Sequence, residues 1–107
     1  MADFNRLSGQ ASGQFIDVDN TAFVNVHTAG ASKEDIRIIV TNEGGSDDTI
    51  ELKIDTLGDT GTAPVKTVNC PSNTPFVIFD GVLDASGQIW MKSGANNFTV
   101  EGKVKTF

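Results

Sequence analysis

Pro75-Phe76-Val77-Ile78-Phe79, Gln88-Ile89-Trp90-Met91-Lys92 and Phe98-Thr99-Val100-Glu101-Gly102-Lys103-Val104 are the three apolar segments whose reading decides the fold. Between them stand Asp84-Ala85-Ser86-Gly87 and Ser93-Gly94-Ala95-Asn96-Asn97, composed of residues that tolerate turn dihedrals. Short apolar runs separated by tight turns read as a meander of antiparallel strands over residues 74–107. If Ile89 and Met91 face a core, Trp90 faces out with Gln88 and Lys92, and in the last segment Phe98, Val100 and Val104 share a face.

Working outward, the same alternation recurs upstream. Ala22, Val24 and Val26 alternate with Phe23, Asn25 and His27, and Ile50, Leu52 and Ile54 alternate with Glu51 and Lys53. Ser32-Lys33-Glu34-Asp35 resembles a helix capping box, but the β-branched run Ile36-Arg37-Ile38-Ile39-Val40-Thr41 favours a strand. A brief strand at Phe15-Ile16-Asp17-Val18 and an edge strand beginning at Pro64 complete the set. Short strands spaced by about ten residues predict an all-β domain, an antiparallel β-sandwich or jelly roll of about 7–8 short strands. Residues 15–107 form this domain, and residues 1–14, polar and without periodicity, read as a flexible N-terminal arm with Phe4, Arg6 and Leu7 placed to reach a neighbour. Removing the arm is expected to leave the domain folded.

The chain has 107 residues, enough for one core, and 14 acidic against 8 basic residues give a formal charge of −6. That balance repels phosphate backbones and anionic bilayers, so neither nucleic acid nor a membrane is an expected partner. One cysteine, Cys70, cannot form a disulfide within the chain, and the opening residues lack the basic and apolar regions of a signal peptide, which predicts synthesis in a cytoplasm.

Catalytic chemistry finds little to stand on. His27 and Cys70 are single members of their types and lie in no nucleophile motif, so they read as a rim histidine and a small apolar cysteine. Asp17-Val18-Asp19-Asn20-Thr21 opens like a calcium loop, but Ala22 and Thr28 occupy the positions that need Gly and Glu. The expectation is a protein that is not an enzyme, with no catalytic residues, metal site or cofactor. A looser calcium site involving Asp47 or Asp48 stays open at this point.

Aromatic and branched residues are more informative. Pro75-Phe76-Val77-Ile78-Phe79 is apolar on both faces, with Phe76 and Ile78 on one side and Val77 and Phe79 on the other. In a small domain this marks either rim loops covering the extra groups or an interface with another subunit. The interface residues predicted are Phe4, Arg6, Leu7, Val77, Phe79, Trp90 and Phe107.

The succession Thr21-Ala22-Phe23-Val24-Asn25-Val26, residues 36–42, Gly44-Gly45-Ser46 and Thr49-Ile50-Glu51-Leu52-Lys53-Ile54, closed by residues 76–87 and 98–104, resembles small virion proteins of tailed bacteriophages. The resemblance covers residues 21–107 and rests on patterns of residue type. It implies a structural protein of a bacteriophage virion, a capsid decoration or cement subunit. Such a subunit forms a homo-oligomer, with a trimer favoured, and binds the major capsid protein or other virion proteins. The competing expectation is a glycan-binding or tail- and fibre-associated adhesion module, in which Trp90 and the acidic turns contact the ligand.

Overall fold

The computed structural model describes residues 5–10, 14–55 and 64–106. Phe4 and Phe107, two of the predicted interface residues, lie outside them. The strands are β1 (Ile16–Val18), β2 (Val24–Thr28), β3 (Glu34–Asn42), β4 (Asp48–Asp55), β5 (Val65–Cys70), β6 (Pro75–Leu83), β7 (Gln88–Ser93) and β8 (Phe98–Thr106). They form two four-stranded antiparallel sheets, ordered β1-β8-β3-β6 and β2-β7-β4-β5. The pairs β1–β8, β2–β7, β3–β6 and β4–β5 all lie side by side. The chain is thus a long hairpin, with β4 and β5 at its tip, rolled so that its halves fall in two layers. This is the jelly roll, and it settles the choice left open by the sequence.

Alternation places the core. Ile36, Ile38 and Val40 of β3 meet Val100 and Val104 of β8 on one inner face, and Ile50, Leu52, Ile89 and Met91 supply the other. Two register shifts modify the simple pattern. In β2 the shift between Asn25 and His27 turns both Val26 and His27 inward, so His27 is 4% exposed rather than on a rim. In β6 the shift sets Phe79 opposite Ile38 and Val77 opposite Ile39, leaving Ile78 as the extra residue. Phe79 therefore leans on the core with Ile78 while Val77 faces out, and the expected sharing of one face by Val77 and Phe79 is corrected.

The described part of the N-terminal segment is laid across one edge of the sandwich. Asn5 exchanges two backbone hydrogen bonds with Val104 at 2.8 Å, Gln10 Oε1 accepts from the Gly102 amide at 2.9 Å, and the Gly9 amide donates to the Val26 carbonyl at 3.1 Å. These bonds tie β8 of the first sheet to β2 of the second. Leu7, 2% exposed, fills the gap between them. The gap exists because Gly102 occupies an inward position of β8; a Cβ there would lie 2.9 Å from Leu7 carbons and 2.7 Å from the Arg37 carbonyl oxygen. Burial of a leucine side chain is worth about 1.5–3 kcal/mol. Leu7 is therefore a core residue of its own domain, which corrects its assignment as a contact to a neighbour.

One end of the barrel-like roll is pinned by Asn42, which is fully buried. Its Nδ2 donates to the carbonyls of Ser46 and Cys70, and its Oδ1 accepts from the Gly44 amide and from Asn96 Nδ2. All four hydrogen-bonding capacities of the amide are used, so three loops share one satisfied hub.

Candidate functional site

The two residues with the most versatile chemistry are engaged structurally. His27 Nδ1 accepts from the Ser8 amide at 2.9 Å, and Nε2 lies 2.6 Å from Glu34 Oε1. Cys70 is buried in the core, where desolvation, helped by the nearby Asp48 charge, raises its thiol above the ordinary range. The acidic turns are tied up as well. Asp19 accepts from the Thr21 hydroxyl and amide, Asp47 accepts from the Ser72 amide, and Asp48 accepts from the Ala95 and Asn96 amides. Among the described residues no three metal-ligating side chains converge.

What remains is surface, and two regions of it stand out. The first is the margin formed by β6 and β5, the edge strands on the side away from residues 5–10. On the outer face of β6, Val77 is 47% and Val82 is 53% exposed, on either side of the Arg37–Asp80 ion pair. On the inner side Phe76 and Ile54 are also exposed, Ile54 beside a groove of about 500 Å³ between the sheets. Leu52, Ile54, Ile78 and Phe79 line it, with Lys66 and Asp80 among its polar residues. Nine residues of β6 carry one charge, Asp80, and its outer backbone edge has no partner strand among the described residues.

The second region is the outer face of the β2-β7-β4-β5 sheet. Asn25, Trp90 and Lys53 stand in one cross-strand row, with Val65 beyond them. Gln88 and Asp55 form the next row on one side, and Lys92 and Glu51 the next on the other. Trp90 is half-buried and donates its indole N–H to Gln88 Oε1 at 3.2 Å. Phe23 lies over Lys53, whose Nζ is 4.1 Å from the ring centroid, and this cover explains why an outward lysine is only 2% exposed.

The predicted site residues are accordingly dispersed. Val77 and Phe79 belong to the β6 margin, Trp90 to the opposite sheet, and Arg6 to a third place, a cup on the outer face of the first sheet lined also by Phe15, Arg37, Ile39, Glu101 and Lys103. Phe76, Val82, Ile54 and Val65, which the sequence reading did not single out as interface residues, extend the margin. For Phe76 and Val82 part of the signal lay in the composition of β6, nine residues with one charge, but its place at a sheet edge follows only from the strand order.

No family model matches the chain, and no curated protein matches it. Among solved structures, it is similar to the Clostridium thermocellum N-terminal endo-1,4-β-D-xylanase 10B, comprising CBM22-1 and GH10 modules complexed with xylohexaose. The TM-score is 0.53 at 10% identity, and the match covers 98% of this chain and 25% of that one. At this identity the likeness is one of fold, and the chain spans about a quarter of the length of that structure.

Proposed function

We propose that the chain is a structural subunit of a bacteriophage virion, without catalytic activity of its own, that decorates or cements the capsid by seating its β6 margin against a neighbouring protein. The observation that carries this reading is the exposure of Phe76, Val77 and Val82 along an edge strand whose outer side pairs with no strand among the described residues. Apolar groups so placed gain free energy when a partner covers them, and an unpaired strand edge offers backbone hydrogen bonds to the same partner. The resemblance of residues 21–107 to small tailed-phage proteins supplies the setting. The partners are further copies of the chain, as a trimer, and the shell protein. Many copies on one shell turn individually weak contacts into durable attachment through effective concentration.

The test is binding of purified protein to capsids lacking it, with a variant carrying Val77→Asp and Val82→Asp. The variant is expected to keep its fold and to lose at least tenfold in particle binding. Equal binding by variant and wild type overturns the assignment of the margin.

A second reading is favoured by a separate observation, the half-exposed Trp90 flanked by Asn25 and Gln88 on the other sheet. An indole face with amide neighbours suits the apolar face and hydroxyls of a sugar ring, and the fold likeness to a chain with a carbohydrate-binding module agrees with it. In this reading the subunit is an adhesion module. Titration of Trp90 fluorescence with xylohexaose and a panel of host-surface glycans separates the two; saturable quenching, together with calorimetric binding of the same glycan that Trp90→Ala abolishes, supports adhesion, and an unchanged signal removes it.

A further inference from the structure

The N-terminal segment is held to β2 by a contact that depends on the protonation state of His27. A backbone amide can only donate, so the 2.9 Å contact from Ser8 N requires a lone pair on Nδ1. The proton of the neutral ring then sits on Nε2 and is donated to Glu34 Oε1 at 2.6 Å. Ser8 answers with its own side chain, whose Oγ accepts from the Thr28 amide at 2.8 Å. Two reciprocal bonds therefore join Ser8 to β2, and one of them needs a neutral imidazole.

We propose that protonation of His27 unlatches residues 5–10 from the second sheet while leaving the rest of the jelly roll intact. A second proton on the ring must go to Nδ1, where N–H then confronts N–H and the Ser8 bond is lost. On the other side of the ring the Nε2–Glu34 contact becomes an ion pair, which keeps His27 seated. The ring therefore stays and the segment lets go. Around His27, β3 contributes Glu34, β7 contributes Ile89 as cross-strand partner with Gln88 beside it, and β2 contributes Asn25 and Thr28. The N-terminal segment contributes Ser8, next to exposed Arg6 and to Leu7. Glu34 is thus the charged group bonded to the ring. Release of Ser8 frees the Thr28 amide, weakens the Gly9–Val26 bond and loosens Leu7 over Gly102. The device acts at the edge opposite β6, so it is independent of what the β6 margin binds.

The experiment follows the imidazole nitrogen shifts of His27 and the exchange protection of backbone amides in the same full-length labelled protein across the imidazole titration. Neutral His27 is expected in the Nε2–H tautomer. As it takes up a proton, protection normalised for intrinsic rates should fall about fivefold to tenfold at Ser8 and Gly9, in keeping with loss of one net hydrogen bond. Protection at Ile38 and Val100 should not change. His27→Asn, whose amide oxygen sits near the place of Nδ1 and does not titrate, is expected to abolish the pH dependence. Unchanged protection at Ser8 through the wild-type titration overturns the proposal. So does an imidazole that gains no second proton before the whole domain unfolds. The same acid-dependent loss in His27→Asn overturns it too, and the wild-type measurements stand alone if that variant does not fold.

Discussion

The two open edges of a jelly roll pose one problem, and this molecule treats them in opposite ways. At one edge β1 is three residues long and β2 five, and residues 5–10 cross from β8 to β2 to seat Leu7 in the core. At the other edge β6 runs nine residues beside a groove, with Phe76, Val77 and Val82 in solvent. Leu7 is consumed by the fold on the first side, although Phe15 before β1 stays 63% exposed there, and a row of apolar side chains is left available on the other. The difference teaches that exposed apolar area at β6 is not a general looseness of this small domain, since the chain closes its other edge with its own N-terminal segment.

The largest expected effect tests the closed edge. Leu7→Ala should lower unfolding free energy by about 2–5 kcal/mol, as for other buried leucines, read from the midpoint of denaturant unfolding. A truncation that begins at Gln14 should be destabilised at least as much, contrary to the expectation of a dispensable arm. A loss below about 0.5 kcal/mol for Leu7→Ala would dissolve the contrast between the edges.

Gly102→Ala sharpens the same point at smaller cost. The added methyl meets the Arg37 carbonyl oxygen at 2.7 Å and Leu7 at 2.9 Å, so a loss of about 1–3 kcal/mol is expected. In a double-mutant cycle with Leu7→Ala the two losses should sum to less than their parts, because one of the two clashes disappears with the leucine. Strict additivity would mean that Leu7 does not rest on Gly102. At the open edge, by contrast, Val77→Ser should change stability by no more than about 0.5 kcal/mol while reducing self-association in light scattering, if that margin is an interface.

The sequence made the interior strands far easier to read than either edge, for a physical reason. Period-two alternation reports strands with one face in a core, so Ile50 and Leu52 of β4 and Phe98, Val100 and Val104 of β8 were placed correctly from type alone. Trp90 was likewise set on the outside of β7 by Ile89 and Met91. Alternation fails wherever a bulge adds one residue, and His27 and Phe79 were misplaced at two such points. Residues 5–10 have no period, because Leu7 and Gln10 are buried through contacts to strands nearly a hundred residues away in sequence. A trace of their role was nevertheless present. Gly102 interrupts the inward series Phe98, Val100 and Val104, and a missing side chain in a close-packed core requires something from elsewhere to fill its place. The order of strands left no such trace, since a jelly roll is defined by long-range pairing.

The smallest effect concerns acid, at the end where β4 meets the β7–β8 turn. Burial raises the Asp48 carboxyl, but hydrogen bonds from the amides of Asn96, Ala95 and Thr49 to the carboxylate outweigh it and hold the group below the usual carboxylate range. A group lowered on folding stabilises the native state above its unfolded pKa, and that contribution is lost as pH falls through the lowered folded value. Asp48→Asn should therefore be less stable than wild type at neutral pH, with a gap that narrows on acidification below the ordinary aspartate range. Half-buried and screened by solvent on its open side, Asp48 should account for a small part of the acid limb, far less than Leu7→Ala removes at neutral pH. A gap that stays constant from neutral pH into strong acid would show that the turn is held by something other than the ionised carboxylate. Because the turn lies away from residues 5–10, the narrowing should appear in global unfolding without altering exchange at Ser8. In this way the acid response of the turn and that of the His27 latch can be measured in the same protein and told apart.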